Sequence, residues 1–102
     1  MKMYILIKDD VPVKMAPVIA AHASLACYKK YKDDPDMIEW VHSIFKKVVC
    51  KVNEKEFQNS LKDEKYVLLT ESSLDNREVA VVFVPRVEFT KQFRFFKMWA
   101  PD

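Results

Sequence analysis

Apolar residues fall into two kinds of run along the chain, and their spacing predicts the elements before any chemistry is considered. Five runs are short and either continuously apolar or alternating. They are Met3–Ile7 (MYILI), Lys47–Val52 (KVVCKV), Tyr66–Thr70 (YVLLT), Val79–Val84 (VAVVFV) and Lys91–Trp99 (KQFRFFKMW). Runs of this length and residue type predict strands. MYILI has no polar interruption, as in a strand covered on both faces. VAVVFV is so uniformly apolar that it is predicted at the centre of the sheet, with Pro85 stopping it. The last run, aromatic and partly alternating, is predicted as a fifth strand at an edge.

The remaining runs suit helices. From Ala16 to Tyr31 (APVIAAHASLACYKKY), the only polar side chains between Pro17 and Tyr28 are His22 and Ser24. The run is too alanine-rich for a strand, and it predicts a central helix buried on most sides. Pro17 suits the first helical position. Ala16 offers no capping side chain, so the first amides are predicted to lack a local acceptor and to favour an anion. Lys29, Lys30 and Lys32 complement the negative end of the helix dipole. Asp34-Pro35-Asp36 opens a second helix, with Asp34 as N-cap. Its apolar stripe is read as Ile38, Val41, Ile44 and Phe45, with Trp40 flanking. Asn53-Glu54-Lys55-Glu56 is an Asn-capped capping box opening a short helix anchored by Phe57 and Leu61. The order β-α-α-β-α-β-β-β predicts a single α/β domain over residues 1–102. Its expected form is a three-layer α/β/α sandwich around a mixed sheet of four to five strands.

Composition narrows the functions. The 102 residues contain no glycine, against roughly 7% in an average chain. That excludes Walker and dinucleotide-binding loops, which need glycine for close backbone approach to phosphates. The net charge of +2 neither demands nor forbids a nucleic-acid partner. Cys27 and Cys50 lack metal-ligand spacing and lie in apolar contexts, so buried free thiols in a reducing compartment are expected. No apolar run approaches the ~18 residues of a membrane span and no signal-peptide pattern opens the chain, which predicts a cytoplasmic protein with no membrane partner.

Several stretches resemble type II peptidyl-tRNA hydrolases. AAHASLACYKK (Ala20–Lys30) is similar to that family's SHAALGAYKK helix, with His22, Ala23, Leu25, Tyr28, Lys29 and Lys30 in matching places. KKVVCKVNEKEF (Lys46–Phe57) resembles the family's second strand and acidic helix entry, and VAVVFVP (Val79–Pro85) its penultimate strand. Order and spacing hold over roughly the whole chain. The family helix opens with GKIAAQCSH. Counting back from His22 without a gap places Met15 at the lysine, Ile19 at the glutamine and Ala20 at the cysteine. The connection before the helix is about two residues shorter here, so a gap instead places Lys14 at the lysine, and both alignments stay open. Glu71-Ser72-Ser73 stands at the family's DAG, in a shortened loop where its threonine has no clear match.

The resemblance implies hydrolysis of an acyl ester on tRNA without metal or other cofactor. Such a reaction needs an activated water, a stabiliser for the tetrahedral oxyanion and a cationic grip on phosphate. His22, Lys14 and Glu71 are the catalytic candidates, expected to border one cleft at the N-terminal end of the central helix. Imidazoles titrate near neutrality and serve as bases; Lys14 brings positive charge and Glu71 a carboxylate at a strand end. Asp10, Ser72, Ser73 and Lys29 are candidates for substrate binding, with Asp9 and Asp10 placed to pair with Lys14. Each has a structural alternative: a satisfied core histidine, a solvated lysine, a turn acid, turn serines. His42 is read as surface.

Arg86, Lys91, Arg94 and Lys97 interleave with Phe89, Phe93, Phe95, Phe96 and Trp99. A single-stranded nucleic-acid platform needs that pattern. An edge strand covering a core or forming a homodimer interface also produces it, and this is the favoured reading, with Phe93, Phe95 or Trp99 partly buried against a second subunit. Three function classes follow: a hydrolase acting on tRNA, a non-catalytic module for a small anionic ligand or RNA end, and an interaction protein that dimerises.

Overall fold

The computed structural model describes residues 1–102. The strands are β1 (Lys2–Lys8), β2 (Lys47–Val52), β3 (Tyr66–Glu71), β4 (Arg77–Arg86) and β5 (Lys97–Met98). The α-helices are α1 (Ala16–Tyr31), α2 (Pro35–Val41) and α3 (Glu54–Ser60). The strands form one mixed sheet in the order β3-β4-β1-β2-β5. β1 and β2 are parallel, and the other neighbouring pairs are antiparallel. The expected α/β architecture and element order are observed. β1 occupies the middle of the sheet. β4, expected at the centre, lies beside it with a strand on either flank.

Alternation along β1 explains why its sequence is apolar throughout. Met3, Ile5 and Ile7 face α1 and α2, where they pack with Ala16, Ile19, Ala23, Cys27, Met37 and Trp40. Leu6 turns to the opposite face, among Val48, Cys50, Val52, Phe57, Phe83, Phe93 and Phe96. The layers are therefore α1 and α2 on one side, and α3 with the C-terminal segment on the other. Both cysteines are free and buried. Burial, reinforced by Asp34, pushes the Cys27 thiol up to about 12, and burial with Glu56 pushes Cys50 to about 11, so neither thiolate is populated at neutral pH.

Five details depart from the sequence reading. First, α1 is not buried on most sides. Its core-facing stripe is Ala16, Ile19, Ala23 and Cys27, whereas Val18 and Leu25 are exposed, Leu25 at 60%. Alanine makes the helix regular without marking a buried face. Second, α2 buries Met37 and Trp40, not the stripe through Ile38, Ile44 and Phe45. The helix ends at Val41, so positions 44 and 45 never join its periodicity.

Third, β4 runs through Pro85 to Arg86. Lys2 pairs with Arg86 and Tyr4 with Phe83, so two β4 residues oppose one of β1. Pro85 lies in this bulge, where a missing N–H costs no ladder bond. Fourth, Lys91–Phe95 forms a 3-10 helix in place of the long fifth strand, leaving only Lys97–Met98 as β5. Its three-residue period turns Phe93 and Phe96 into the core while Phe95 is 71% exposed. The aromatic segment thus covers its own sheet. The fifth, at the start of α1, concerns the site below.

A glycine-free chain must make its left-handed turns with other residues. Positive φ occurs at Phe45, Lys65, Asp75 and Asn76. Asp75 and Asn76 tolerate that region because their short side chains bond locally. Lys65 is held there by its carbonyl, which accepts the Val84 N–H at 3.0 Å, and by an ion pair to Asp34 at 2.8 Å. Asp34 is the expected N-cap of α2, accepting from the Asp36 and Met37 amides at 2.9 and 3.4 Å. The Lys65 hydrogen bond and these two amides hold the Asp34 carboxyl below the usual carboxylate range. A depressed folded-state pKa stabilises above the unfolded value, so Asp34 contributes fully above about pH 4 and loses that contribution as pH falls through its folded value. Asp34→Ala is expected to lower stability by about 1–2 kcal/mol at neutral pH. Urea melts should show that deficit shrinking in acid; a deficit unchanged by pH would contradict the ionised cap.

Candidate active site

The chain leaves β1 at Lys8, turns at Asp9 and Asp10, and enters a 3-10 turn over Val13–Met15 that runs directly into α1. This turn is the fifth departure from the sequence reading. The Met15 N–H donates to the Pro12 carbonyl at 2.9 Å, the Ala16 N–H donates to that of Val13, and Pro17 has no N–H. Of the first amides expected to be free, that of Ala16 is therefore occupied and Pro17 has none. No side chain caps α1. The Lys14 ammonium adds positive charge at this end. The turn left no clear sequence signal beyond Pro12, which starts it with φ −53°.

Lys14 borders a shallow depression of about 290 Å³ with Met15, Val18, Ile19 and Glu71. Positions 14 and 71 line it together because the turn that carries Lys14 runs into α1, which packs against β3 as well as β1. Both residues that compete for the family's lysine position are present at its rim, and of the two only Lys14 carries charge. Ile19 supplies apolar floor and is buried.

Glu71 ends β3 and is half-buried. Its Oε2 accepts the Ser73 N–H at 3.2 Å and the Ser73 hydroxyl at 3.1 Å, which caps the 3-10 turn Ser72–Leu74. Both bonds hold Oε2 and leave Oε1 without a protein partner. Ser73 therefore orients Glu71, while Ser72 is exposed with no such bond. Lys14 makes no ion pair. Asp10, expected to pair with it, instead binds Arg77 at 2.9 Å, and Arg77 stands opposite Glu71 in the β3–β4 register. Sequence reasoning missed Arg77, which competes for Asp10 from the adjoining strand with a fixed donor fork.

His22 is exposed on α1 and does not line the depression. It follows Lys14 by eight residues, about 12 Å of helical rise. Lys14, Val18, His22, Leu25 and Lys29 fall at spacings of three and four along one solvent-facing stripe. The structure thus brings together Lys14, Glu71 and Ser73, holds Asp10 nearby through Arg77, and leaves His22 and Lys29 along the outer surface of α1.

No three His, Cys, Asp or Glu side chains gather as a metal-binding group. No helix is long and apolar enough to cross a membrane. A search of curated proteins finds no match. The family model for peptidyl-tRNA hydrolase PTH2 matches residues 1–74, a stretch containing β1, α1, α2, β2, α3, β3 and both rim residues Lys14 and Glu71. On that match, the chain belongs to the peptidyl-tRNA hydrolase PTH2 family.

Proposed function

We propose that the protein hydrolyses the ester linking an acyl or peptidyl group to tRNA, at the depression between Lys14 and Glu71. The observation that carries this reading is that Lys14, which makes no ion pair, and Glu71, whose Oε1 is free of protein partners, line one depression at the start of α1. Glu71 Oε1 accepts a proton from water as the water oxygen bonds to the ester carbonyl carbon. Lys14 stabilises the negative charge that develops on the carbonyl oxygen. When the carbon–oxygen bond to the ribose breaks, the Glu71 proton passes to the departing ribose oxygen.

Ser73 positions Glu71, and Ser72 lies next to it for the substrate's polar atoms. His22 and Lys29, on the outer stripe of α1, meet the tRNA portion of the substrate, and Asp10 orders Arg77 at the edge of the site. No metal or nucleotide enters these steps. Residues 1–102 act as one such domain, in the cytoplasm.

The test is release of the acyl group from N-acetylated aminoacyl-tRNA in the presence of a chelator. Turnover is expected. Saturable tRNA binding without turnover would replace the hydrolase by a non-catalytic module for an RNA end. The homodimer stands as a further part of this reading: Phe95 is exposed beside the short edge strand β5, and Met98 is exposed within it, which offers a site for pairing with a second copy. Sedimentation is expected to show a dimer at high micromolar concentration that Phe95→Glu dissociates. A strict monomer would remove the dimer without touching the chemistry.

A further inference from the structure

The end of β4 and the segment after it close a second cavity, on the face of the sheet opposite α1. It measures about 280 Å³, and its walls include Lys2, Tyr4, Arg86, Phe89, Phe93 and Arg94. Glu88 is its only acid. The four ion pairs of the protein use Lys8, Lys51, Lys65 and Arg77, so Lys2, Arg86 and Arg94 have no carboxylate partner. Arg86 is fixed twice: its Nη2 donates to the Glu64 carbonyl at 2.6 Å, and its guanidinium lies 4.7 Å from the Phe89 ring centre. Phe89 in turn packs against Tyr4 at 4.7 Å and Phe93 at 4.8 Å. The Lys2 ammonium is 5.9 Å from the Tyr4 ring. Arg86, Phe89, Phe93 and Arg94 lie beyond residues 1–74, the part matching the family.

We propose that this cavity binds one nucleoside phosphate unit, with the base against the Phe89–Tyr4 aromatic wall and the phosphate among Lys2, Arg86 and Arg94. Unpaired cations converging on one hollow favour a dianion, and arginine holds phosphate through a fixed donor fork. Aromatic side chains stack bases of any identity. The volume lies near the lower end of small-molecule sites, about 300 Å³, which suits one nucleotide and not two. The unit is either a free nucleotide or the phosphorylated end of a single-stranded RNA.

Titration calorimetry of the intact protein with adenosine 5′-monophosphate, inorganic phosphate, adenosine and a 5′-phosphorylated oligoadenylate tests this. The nucleotide is expected to bind about tenfold more tightly than phosphate or adenosine alone, because charge and stacking act together. Phe89→Leu should weaken the nucleotide about tenfold and phosphate by clearly less, because Arg86 loses its contact with the ring but keeps its bond to the Glu64 carbonyl. Arg94→Gln, at an exposed position that leaves folding intact, should weaken both and flatten the salt dependence. Glu71→Gln should change none of these affinities, which separates the cavity from the hydrolytic site. The oligonucleotide binding about tenfold more tightly than the nucleotide identifies RNA as the source, and equal affinity identifies the free nucleotide. Phosphate binding as tightly as the nucleotide, or nucleotide binding untouched by both variants, would overturn the proposal.

Discussion

Glu71→Gln is expected to lower kcat/KM for an acylated tRNA about a hundredfold to a thousandfold while leaving tRNA affinity nearly unchanged. Glutamine preserves the side chain's size and can still accept from Ser73, so the turn over Ser72–Leu74 stays capped. It cannot take a proton from water. The loss should therefore fall on kcat, with thermal stability nearly unmoved because glutamine keeps the side chain's volume and its bond to Ser73. Lys14→Met should match that loss in kcat, as removal of an oxyanion-stabilising charge costs about 3–4 kcal/mol of transition-state stabilisation. Lys14→Met should also weaken tRNA binding, more at low salt than at high salt, because screening already reduces an exposed charge. His22→Ala gives the contrast. From its place on the outer stripe of α1, it should change activity by no more than about tenfold. Glu71→Gln retaining activity within about threefold of the unmodified protein would end its role as base.

The first-helix site was half legible from the residues. Lys14 and Glu71 could be named together because one precedes the central helix and the other closes a strand, and strand ends and helix starts share an edge in this class of sheet. Two features were hidden. A 3-10 turn leaves little compositional trace in Val13-Lys14-Met15, yet it occupies the first amide that an uncapped helix would have exposed, that of Ala16. Asp10 could be read only against its sequence neighbour Lys14, because Arg77 reaches it through a strand pairing that periodicity does not reveal.

The fold was more legible, since it rests on alternation and caps. The capping box at Asn53 and Glu56 forms in both directions, at 2.9 and 2.8 Å. Where the reading failed, a competing period was the cause. Phe93, Phe95 and Phe96 satisfy alternation in part, but a 3-10 turn buries the pair spaced by three. Ile38, Val41, Ile44 and Phe45 satisfy a helical stripe, but the helix stops before the last two.

Trp40→Ala is expected to cost about 3–5 kcal/mol, the range for emptying a large aromatic site in a packed core. Trp40 is 2% exposed, whereas Ile38, on the stripe read from sequence, is 47% exposed. The indole does more than fill space. Its Nε1 donates to the Lys46 carbonyl at 2.8 Å, and that carbonyl also accepts the Met3 N–H at 2.9 Å, so the side chain ties the end of α2 to the start of the β1–β2 pairing. Its own carbonyl accepts the Phe45 N–H at 3.1 Å, holding Phe45 in its left-handed turn, and the two rings pack at 4.9 Å. Placing phenylalanine in that region costs about 1 kcal/mol or more, which this packing offsets. Against a total stability of about 5–15 kcal/mol, the alanine variant should melt about 15–25 °C lower. Trp40→Phe keeps most of the volume and loses one of two donors to Lys46, so its deficit should be nearer 1–2 kcal/mol. Urea unfolding with an unchanged m-value separates a packing loss from a loosened native state. Below the melting temperature the alanine variant should keep its activity, because Trp40 lines neither the depression nor the Glu71 turn. A deficit under about 1 kcal/mol would show that α2 docks through Met37 alone, with Trp40 dispensable to the fold.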